Sequence, residues 1–202
     1  MQTQLDFDKT PQFIMHPFIK QELIKYRKYQ VDIAKVASEQ NTLVVLPTAL
    51  GKTIIALLSL VRVLQGAPQS KILILAPTRP LVFQHYKTFL KFLTSDVKCC
   101  LISSNMSPLK RALALNENDV FFSTPQIIKN DIKSNLYNLG GFSLLVFDEA
   151  HKARKKYAYT FVASSYFQSC RHPLTLALTA SPGKDLYKIN ELCRALLIER
   201  VI

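Results

Sequence analysis

The residues best suited to chemistry stand in Leu46-Pro47-Thr48-Ala49-Leu50-Gly51-Lys52-Thr53. The apolar run Leu43-Val44-Val45 precedes them, and Ile54-Ile55-Ala56-Leu57-Leu58 follows. A buried strand, a tight loop ending in Gly-Lys-Thr and a helix together make an anion cradle. The first N–H groups of a helix have no intrahelical partner and face outward from its N-terminus. With phosphates in that cradle, Lys52 reaches the β/γ-phosphates and the Thr53 hydroxyl holds Mg²⁺. The eight-residue pattern of such loops begins with Gly, where this chain has Leu46.

A second group, Asp148-Glu149-Ala150-His151, follows the apolar run 143–147. An Asp at the end of a core strand, facing a Gly-Lys-Thr loop, is placed for a direct or water-mediated Mg²⁺ contact. The adjacent Glu149 can orient and deprotonate an attacking water. An isolated Asp-Glu pair reads as a solvated loop. Coupled to the upstream phosphate loop, this one reads as the other half of a phosphate-processing centre.

These groups need a frame, and the chain supplies one. Short apolar runs at 42–46, 71–76, 98–102, 119–123, 143–147 and 173–179 alternate with helical stretches near 52–65, 80–93, 106–115, 125–137, 156–168 and 184–198. That alternation predicts an α/β domain with a mostly parallel central sheet. Runs such as Ile72-Leu73-Ile74-Leu75 are continuously apolar, as strands covered on both faces are. Residues 1–18 read as an extended lead-in to one domain spanning 19–202, and 19–38 read mostly as helix, broken near Tyr29. Ligands of open parallel sheets bind beyond the carboxyl ends of the strands. Four of the five strand tips there combine Ser or Thr with a nearby Pro, which predicts hydroxyl-capped helix starts gathered on one electropositive edge.

The chain has 202 residues, 49% of them hydrophobic, and only five Gly, a folded rather than a disordered composition. Its net charge of +12 favours polyanionic partners, nucleic acid first. Cys99, Cys100, Cys170 and Cys193 form no C-x-x-C pair and have no nearby His in a zinc spacing, so they read as reduced thiols. No signal pattern and no membrane-length apolar run is present, which predicts a cytoplasmic, nucleoid-associated protein with no membrane partner.

Asp148-Glu149-Ala150-His151, the Gly-Lys-Thr loop before it and Thr179-Ala180-Ser181 after it resemble the first RecA-like domain of a superfamily 2 DEAH-box helicase. Four further segments sharpen the likeness: Tyr26-Arg27-Lys28-Tyr29-Gln30, Leu75 to Val82, Ser123-Thr124-Pro125-Gln126 and Leu178 to Gly183. They resemble the branch of the archaeal Hef helicase–nuclease and the Fanconi-anaemia M-type DNA translocases. The resemblance runs from about His16 to the C-terminus. It implies a three-layer fold with helices on both faces of the sheet, and ATP and Mg²⁺ as cofactors. It also implies a branched or forked DNA partner and a second RecA-like domain as the other half of the ATP site.

Carried over by residue, the resemblance puts the adenine at Gln30 with Arg27 nearby, and the phosphates on Pro47, Thr48, Ala49, Leu50, Gly51, Lys52 and Thr53. It gives Mg²⁺ to Thr53 and Asp148, the general-base role to Glu149, and the link from ATP to the Thr179/Ser181 coupling motif to His151. Thr78, Arg79, Thr124 and Gln126 match the strand-contacting positions, which hold phosphates and do not read sequence. Two basic clusters, Lys20/Lys25/Arg27/Lys28 and Lys152/Arg154/Lys155/Lys156, read as solvated faces, DNA contacts or a docking surface for a second domain.

The loop of this branch carries Gly where Ala49 stands. Because Gly serves positions of positive φ or close ligand approach, Ala49 predicts local strain and weaker nucleotide affinity. The second RecA-like domain with its arginine finger, and the nuclease motif, lie outside these residues, so the isolated chain is expected to turn over little ATP. An RNA-directed superfamily 2 domain and a non-motor nucleic-acid-binding module remain open. A small-molecule kinase fits Gly-Lys-Thr alone but not Thr179-Ala180-Ser181 or the basic strand tips.

Overall fold

All six apolar runs form strands: β1 (Thr42–Val45), β2 (Lys71–Leu75), β3 (Cys99–Leu101), β4 (Val120–Ser123), β5 (Phe142–Phe147) and β6 (Thr175–Thr179). The structure, a computed structural model, describes residues 12–153, 157–181 and 186–202. The strands join in one sheet of order β3-β4-β2-β5-β6-β1-β7, with β7 (Arg200–Val201) at the edge, and every named pairing is parallel. No apolar run announces β7, whose residues are exposed and whose length is two. Backbone bonds hold it there, from Ile202 N to Leu43 O (2.9 Å) and from Val45 N to Ile202 O (2.7 Å).

Alternate residues of each strand enter opposite cores, as the period-two backbone requires. Val44, Ile72, Ile74, Val146 and Leu178 pack beneath α1 (Lys28–Ala37), α2 (Lys52–Gly66) and α3 (Arg79–Phe92). Leu43, Leu73, Leu75, Phe147 and Ala177 pack on the other face against α5 (Pro125–Lys133), α6 (Ala158–Ser169) and α7 (Leu186–Ala195), while α4 (Pro108–Glu117) follows β3. Helices therefore cover both faces in a three-layer α/β fold. A continuously apolar strand is the result of serving two cores at once.

The N-terminal helix is shorter than its apolar spacing suggests. Residues 12–27 form no helix, and α1 starts at Lys28. The segment doubles back on itself: Ile14 N donates to Ile24 O (2.8 Å), Tyr26 N donates to Gln12 O (2.9 Å), and Glu22 turns at φ 59°. Ile19 and Ile24 are buried in the first core. Leu23, Tyr26 and Ile33 fall at the spacing of a helical face, but Ile19 and Ile24 anchor an irregular strap.

The hydroxyl caps are also revised. Thr78 and Thr124 occupy the N-cap positions of α3 and α5 in extended conformation, yet neither side chain makes a cap hydrogen bond. Only Ser107, before α4, does so among these helix starts, accepting from Lys110 N at 3.4 Å. All four cysteines are free, and burial pushes the Cys99 thiol up to about 12.

Candidate functional site

β5, β6 and β1 are neighbours in the sheet, so the turns after Phe147, Thr179 and Val45 open on one edge. The phosphate loop leaves β1 there, tied to β6 by Leu46 N donating to Thr179 O at 3.1 Å. Two of its residues are left-handed, Ala49 at φ 72° and Gly51 at φ 80°. The sequence pattern anticipates positive φ at Ala49, and the backbone has it. Gly51 has a second constraint: a Cβ there would collide with Nε2 of Gln30.

Lys52 opens α2 and turns its ammonium back into the loop, donating to Leu46 O (2.8 Å) and Pro47 O (3.2 Å). Thr53, next in the first turn, is half-buried, while Pro47, Thr48, Ala49 and Leu50 are exposed. Gln30 comes from α1 and is only 3% exposed. Its amide donates to Leu50 O and to the Tyr29 hydroxyl, both at 3.2 Å. The Tyr29 hydroxyl in turn donates to Leu50 O (2.9 Å) and accepts from Arg27 (3.3 Å). Arg27 therefore reaches the loop through Tyr29, a residue that sequence reasoning passed over although it adjoins Gln30.

The acidic tip is braced from three directions. Asp148 N donates to Leu75 O (2.9 Å), and its carbonyl accepts from the buried Tyr159 hydroxyl (2.6 Å). Its carboxylate Oδ2 lies 2.7 Å from Nε2 of His85 on α3. A carboxylate only accepts, so Nε2 is the protonated nitrogen. Burial, with the Asp148 charge second, pushes the Tyr159 hydroxyl pKa far above its ordinary value and keeps it a neutral donor. Glu149 is half-buried with φ 49°, a left-handed conformation of the kind that persists only where surroundings enforce it.

His151 joins the acidic tip to β6. Its Nδ1 lies 3.3 Å from Glu149 Oε2 and 3.1 Å from Thr179 Oγ1, and Ser181 N donates to that same hydroxyl (3.2 Å). Thr179 is fully buried. Glu149, His151, Thr179 and Ser181 thus form one connected chain of polar contacts. His85 and Tyr159 carry no sequence signal of their own, because each acts across elements that only the fold brings together, whereas Tyr29 lies within the Tyr26–Gln30 segment.

The tips of β2 and β4 lie on the other side of β5 and carry the remaining residues. Thr78 and Arg79 are exposed at the start of α3, and Arg79 donates to the Ser104 hydroxyl at 2.7 Å. Thr124 is buried at the start of α5, and Gln126 is exposed, reaching the Tyr157 hydroxyl at 3.5 Å. A cleft of about 240 Å³ separates the two helix starts, bordered by Arg79, Phe83 and Thr124. A larger cavity, about 950 Å³, lies elsewhere, beside Arg171 and Glu199, and none of the site residues lines it.

The basic clusters divide. Lys28 pairs with Asp32 along α1 (2.6 Å) and Lys20 donates to Leu90 O (2.9 Å), so these are locally satisfied surface groups. Lys152 is exposed. Arg154, Lys155 and Lys156, like Pro182 and Gly183 of the segment after β6, lie outside the described residues.

The same arrangement recurs in known proteins. The helicase domain of Hef from Pyrococcus furiosus superposes with a TM-score of 0.86 at 40% identity, covering 91% of this chain and 39% of that one. A Methanocaldococcus jannaschii protein, named provisionally as an ATP-dependent RNA helicase, is 43% identical over 94% of this chain and 24% of its own length. The Drosophila melanogaster DEAD-box ATP-dependent DNA helicase Fancm is 36% identical over 92% of this chain and 13% of its own. The chain thus spans a quarter or less of these two full-length relatives. The shared fold is RecA-like. The sequence pattern of the DEAD/DEAH box helicases matches residues 27–189, a span that holds β1 to β6 and every site residue from Arg27 to Ser181, and the chain belongs to that family.

Proposed function

We propose that this chain is the ATP-binding half of a motor that moves on DNA, a helicase or translocase acting at branched or forked structures. One observation carries the reading. The loop after β1, the Asp148-Glu149 tip after β5 and Thr179 after β6 meet on one edge, where His151 joins Glu149 to Thr179 and Leu46 N ties the loop to Thr179 O.

In this reading ATP lays its phosphates over the start of α2, where backbone N–H groups of the loop from Thr48 to Gly51 face them. Lys52 exchanges its bonds to Leu46 O and Pro47 O for phosphate oxygens. Gln30 keeps its amide on Leu50 O and offers its carbonyl oxygen to the adenine amino group, with Arg27 alongside.

The donor set suits Mg²⁺, which takes one or two protein oxygens beside substrate phosphates. Asp148 and Thr53 would supply those oxygens. Among the described residues no group of three or more His, Cys, Asp and Glu forms an all-protein metal cage. When bound, the ion neutralises charge building on the phosphates. Glu149 takes the proton of the attacking water. His151, held between Glu149 and Thr179, relays the change at the γ-phosphate to Thr179 and Ser181. Thr78, Arg79, Thr124 and Gln126 grip strand phosphates. Because neither Thr caps its helix, the first-turn N–H groups remain available to those phosphates.

A second RecA-like domain of a longer chain supplies the arginine finger, an element worth ~10³–10⁵ in rate. The DNA substrate rests on likeness to Hef and Fancm, and it sets a cytoplasmic, nucleoid-associated location. An RNA substrate is the second reading, favoured by the name of the Methanocaldococcus relative. Lys52→Ala, assayed with fluorescent ATP, tests the nucleotide site: affinity is expected to fall at least ~10-fold, the loss of roughly 1.4 kcal/mol of charge-assisted bonding. Unchanged binding overturns it. Competition of forked DNA against duplex RNA for the same chain decides the strand.

A further inference from the structure

We propose that His85 is a positioning residue for the Mg²⁺-binding carboxylate of Asp148. The inference rests on the ATP-binding reading above and assigns a role to a side chain which that reading does not use. His85 projects from α3, touches neither the phosphate loop nor Glu149 by any hydrogen bond, and spends its Nε2–H on Asp148 Oδ2 at 2.7 Å. Both side chains are nearly closed to solvent, at 11% and 10% exposure. An exposed pair of this kind contributes little, whereas a desolvated one fixes geometry, because neither partner can turn to water instead.

The contact is separable from the folding of the strand tip. The Asp148 backbone is already fixed by Leu75 O and by the Tyr159 hydroxyl. His85 adds a bond to the side chain alone. It engages one carboxylate oxygen and leaves the other, Oδ1, for the ion or its water. Mg²⁺ demands near-ideal geometry from the few protein oxygens it takes, so a carboxylate free to rotate binds it worse. Ligating carboxylates are commonly held by such a hydrogen bond, and loss of the holding residue costs roughly 10–100-fold in metal affinity.

The test is a Mg²⁺ titration of fluorescent-ATP binding to the full chain, with a baseline in EDTA. His85→Ala is expected to raise the Mg²⁺ concentration for half-maximal enhancement by roughly 10–100-fold while leaving the EDTA affinity unchanged. His85→Gln, which restores an N–H donor of similar reach, is expected to return the midpoint to within about threefold of the original, a difference of less than 1 kcal/mol. Should His85→Ala not fold, His85→Leu fills the space without a donor and takes its place. Failure of both to fold overturns the proposal in favour of a purely structural role. So does an unshifted midpoint, or equal loss of binding with and without Mg²⁺. Nucleotide binding by the unmutated chain that ignores Mg²⁺ overturns this inference alone. Absence of nucleotide binding by the unmutated chain overturns the ATP-binding reading beneath it.

Discussion

Two left-handed residues in one loop should respond to mutation with opposite signs. Ala49 (φ 72°) and Gly51 (φ 80°) both occupy backbone space that disfavours a Cβ. For an L-residue the left-handed conformation costs roughly 1–2 kcal/mol. Ala49→Gly removes that cost and adds back roughly 0.4–1 kcal/mol of chain entropy in the unfolded state. Ala49 is exposed, so no packing is lost. The net gain is about 0–1.6 kcal/mol, or up to roughly 6 °C in Tm for a chain of this length.

Gly51→Ala runs the other way. It takes on the same strain, and its new Cβ meets Gln30 Nε2. Moving that amide breaks its bonds to Leu50 O and the Tyr29 hydroxyl, each worth about 0.5–1.5 kcal/mol. The sum is about 2–5 kcal/mol, of which unfolded-state entropy returns roughly 0.4–1, a net loss of about 1–4.5 kcal/mol and roughly 2–18 °C in Tm. Thermal unfolding of the three proteins, with urea melts to confirm a common m-value, measures both effects. A destabilised Ala49→Gly, or two shifts of the same sign, would refute the account of the loop.

Three other outcomes are expected. Asp131 is buried on α5, where it accepts from the Arg111 guanidinium and from the Tyr137 hydroxyl. Asp131→Ala strands the Arg111 charge in a site only 12% exposed and should cost about 3–5 kcal/mol by urea denaturation; a loss below about 1 kcal/mol would show that the pair contributes nothing net. At alkaline pH the folded chain keeps protons that the unfolded chain releases. Burial holds the Cys99 thiol at about 12, against an ordinary 9.0. The Cys99 contribution is therefore complete below pH 9 and is lost as pH rises toward 12, and Cys99→Ala should flatten part of the decline between pH 9 and 10, before tyrosines ordinarily ionise; parallel slopes would contradict this. Finally, the chain alone should hydrolyse ATP near background even with DNA present, and a DNA-stimulated rate of about 1 s⁻¹ or more, within the usual range of enzyme turnover, would be inconsistent with an arginine finger supplied from elsewhere.

The sheet was legible because its strands serve two cores. A run such as Leu144-Leu145-Val146-Phe147 has no polar face to interrupt it, and the change to helical spacing after each run marks the crossovers. The strap at 12–27 was not legible as a strap. Leu23, Tyr26 and Ile33 repeat at the three- and seven-residue spacing of a helical face, and only the return bonds from Ile14 and Tyr26 reveal the strap. The edge strand β7 escaped for the opposite reason: two exposed residues leave no apolar pattern, and their place is fixed by backbone pairing with β1.

At the site the division follows the same physics. Lys52, Asp148, Glu149, His151 and Thr179 each stand at or just after a strand end, so the parallel topology carries them to one edge once the strands are known. His85 and Tyr159 stand inside helices. His85 meets Asp148 because β2 lies beside β5, an adjacency that chain order does not reveal, and Tyr159 meets it by the return of α6 after β5. Thr78 and Thr124 show the limit of local reasoning from the other side. Ser, Thr and Pro at a helix start make a cap the simplest expectation, yet neither hydroxyl closes one. The unclosed ends leave first-turn N–H groups without the partner that local sequence would assign them, and with Thr78, Arg79 and Gln126 exposed, water meets that need. In the DNA reading proposed above, a phosphate strand crossing the tips of β2 and β4 would replace that water, so the departure from local pattern leaves this edge open to strand phosphates.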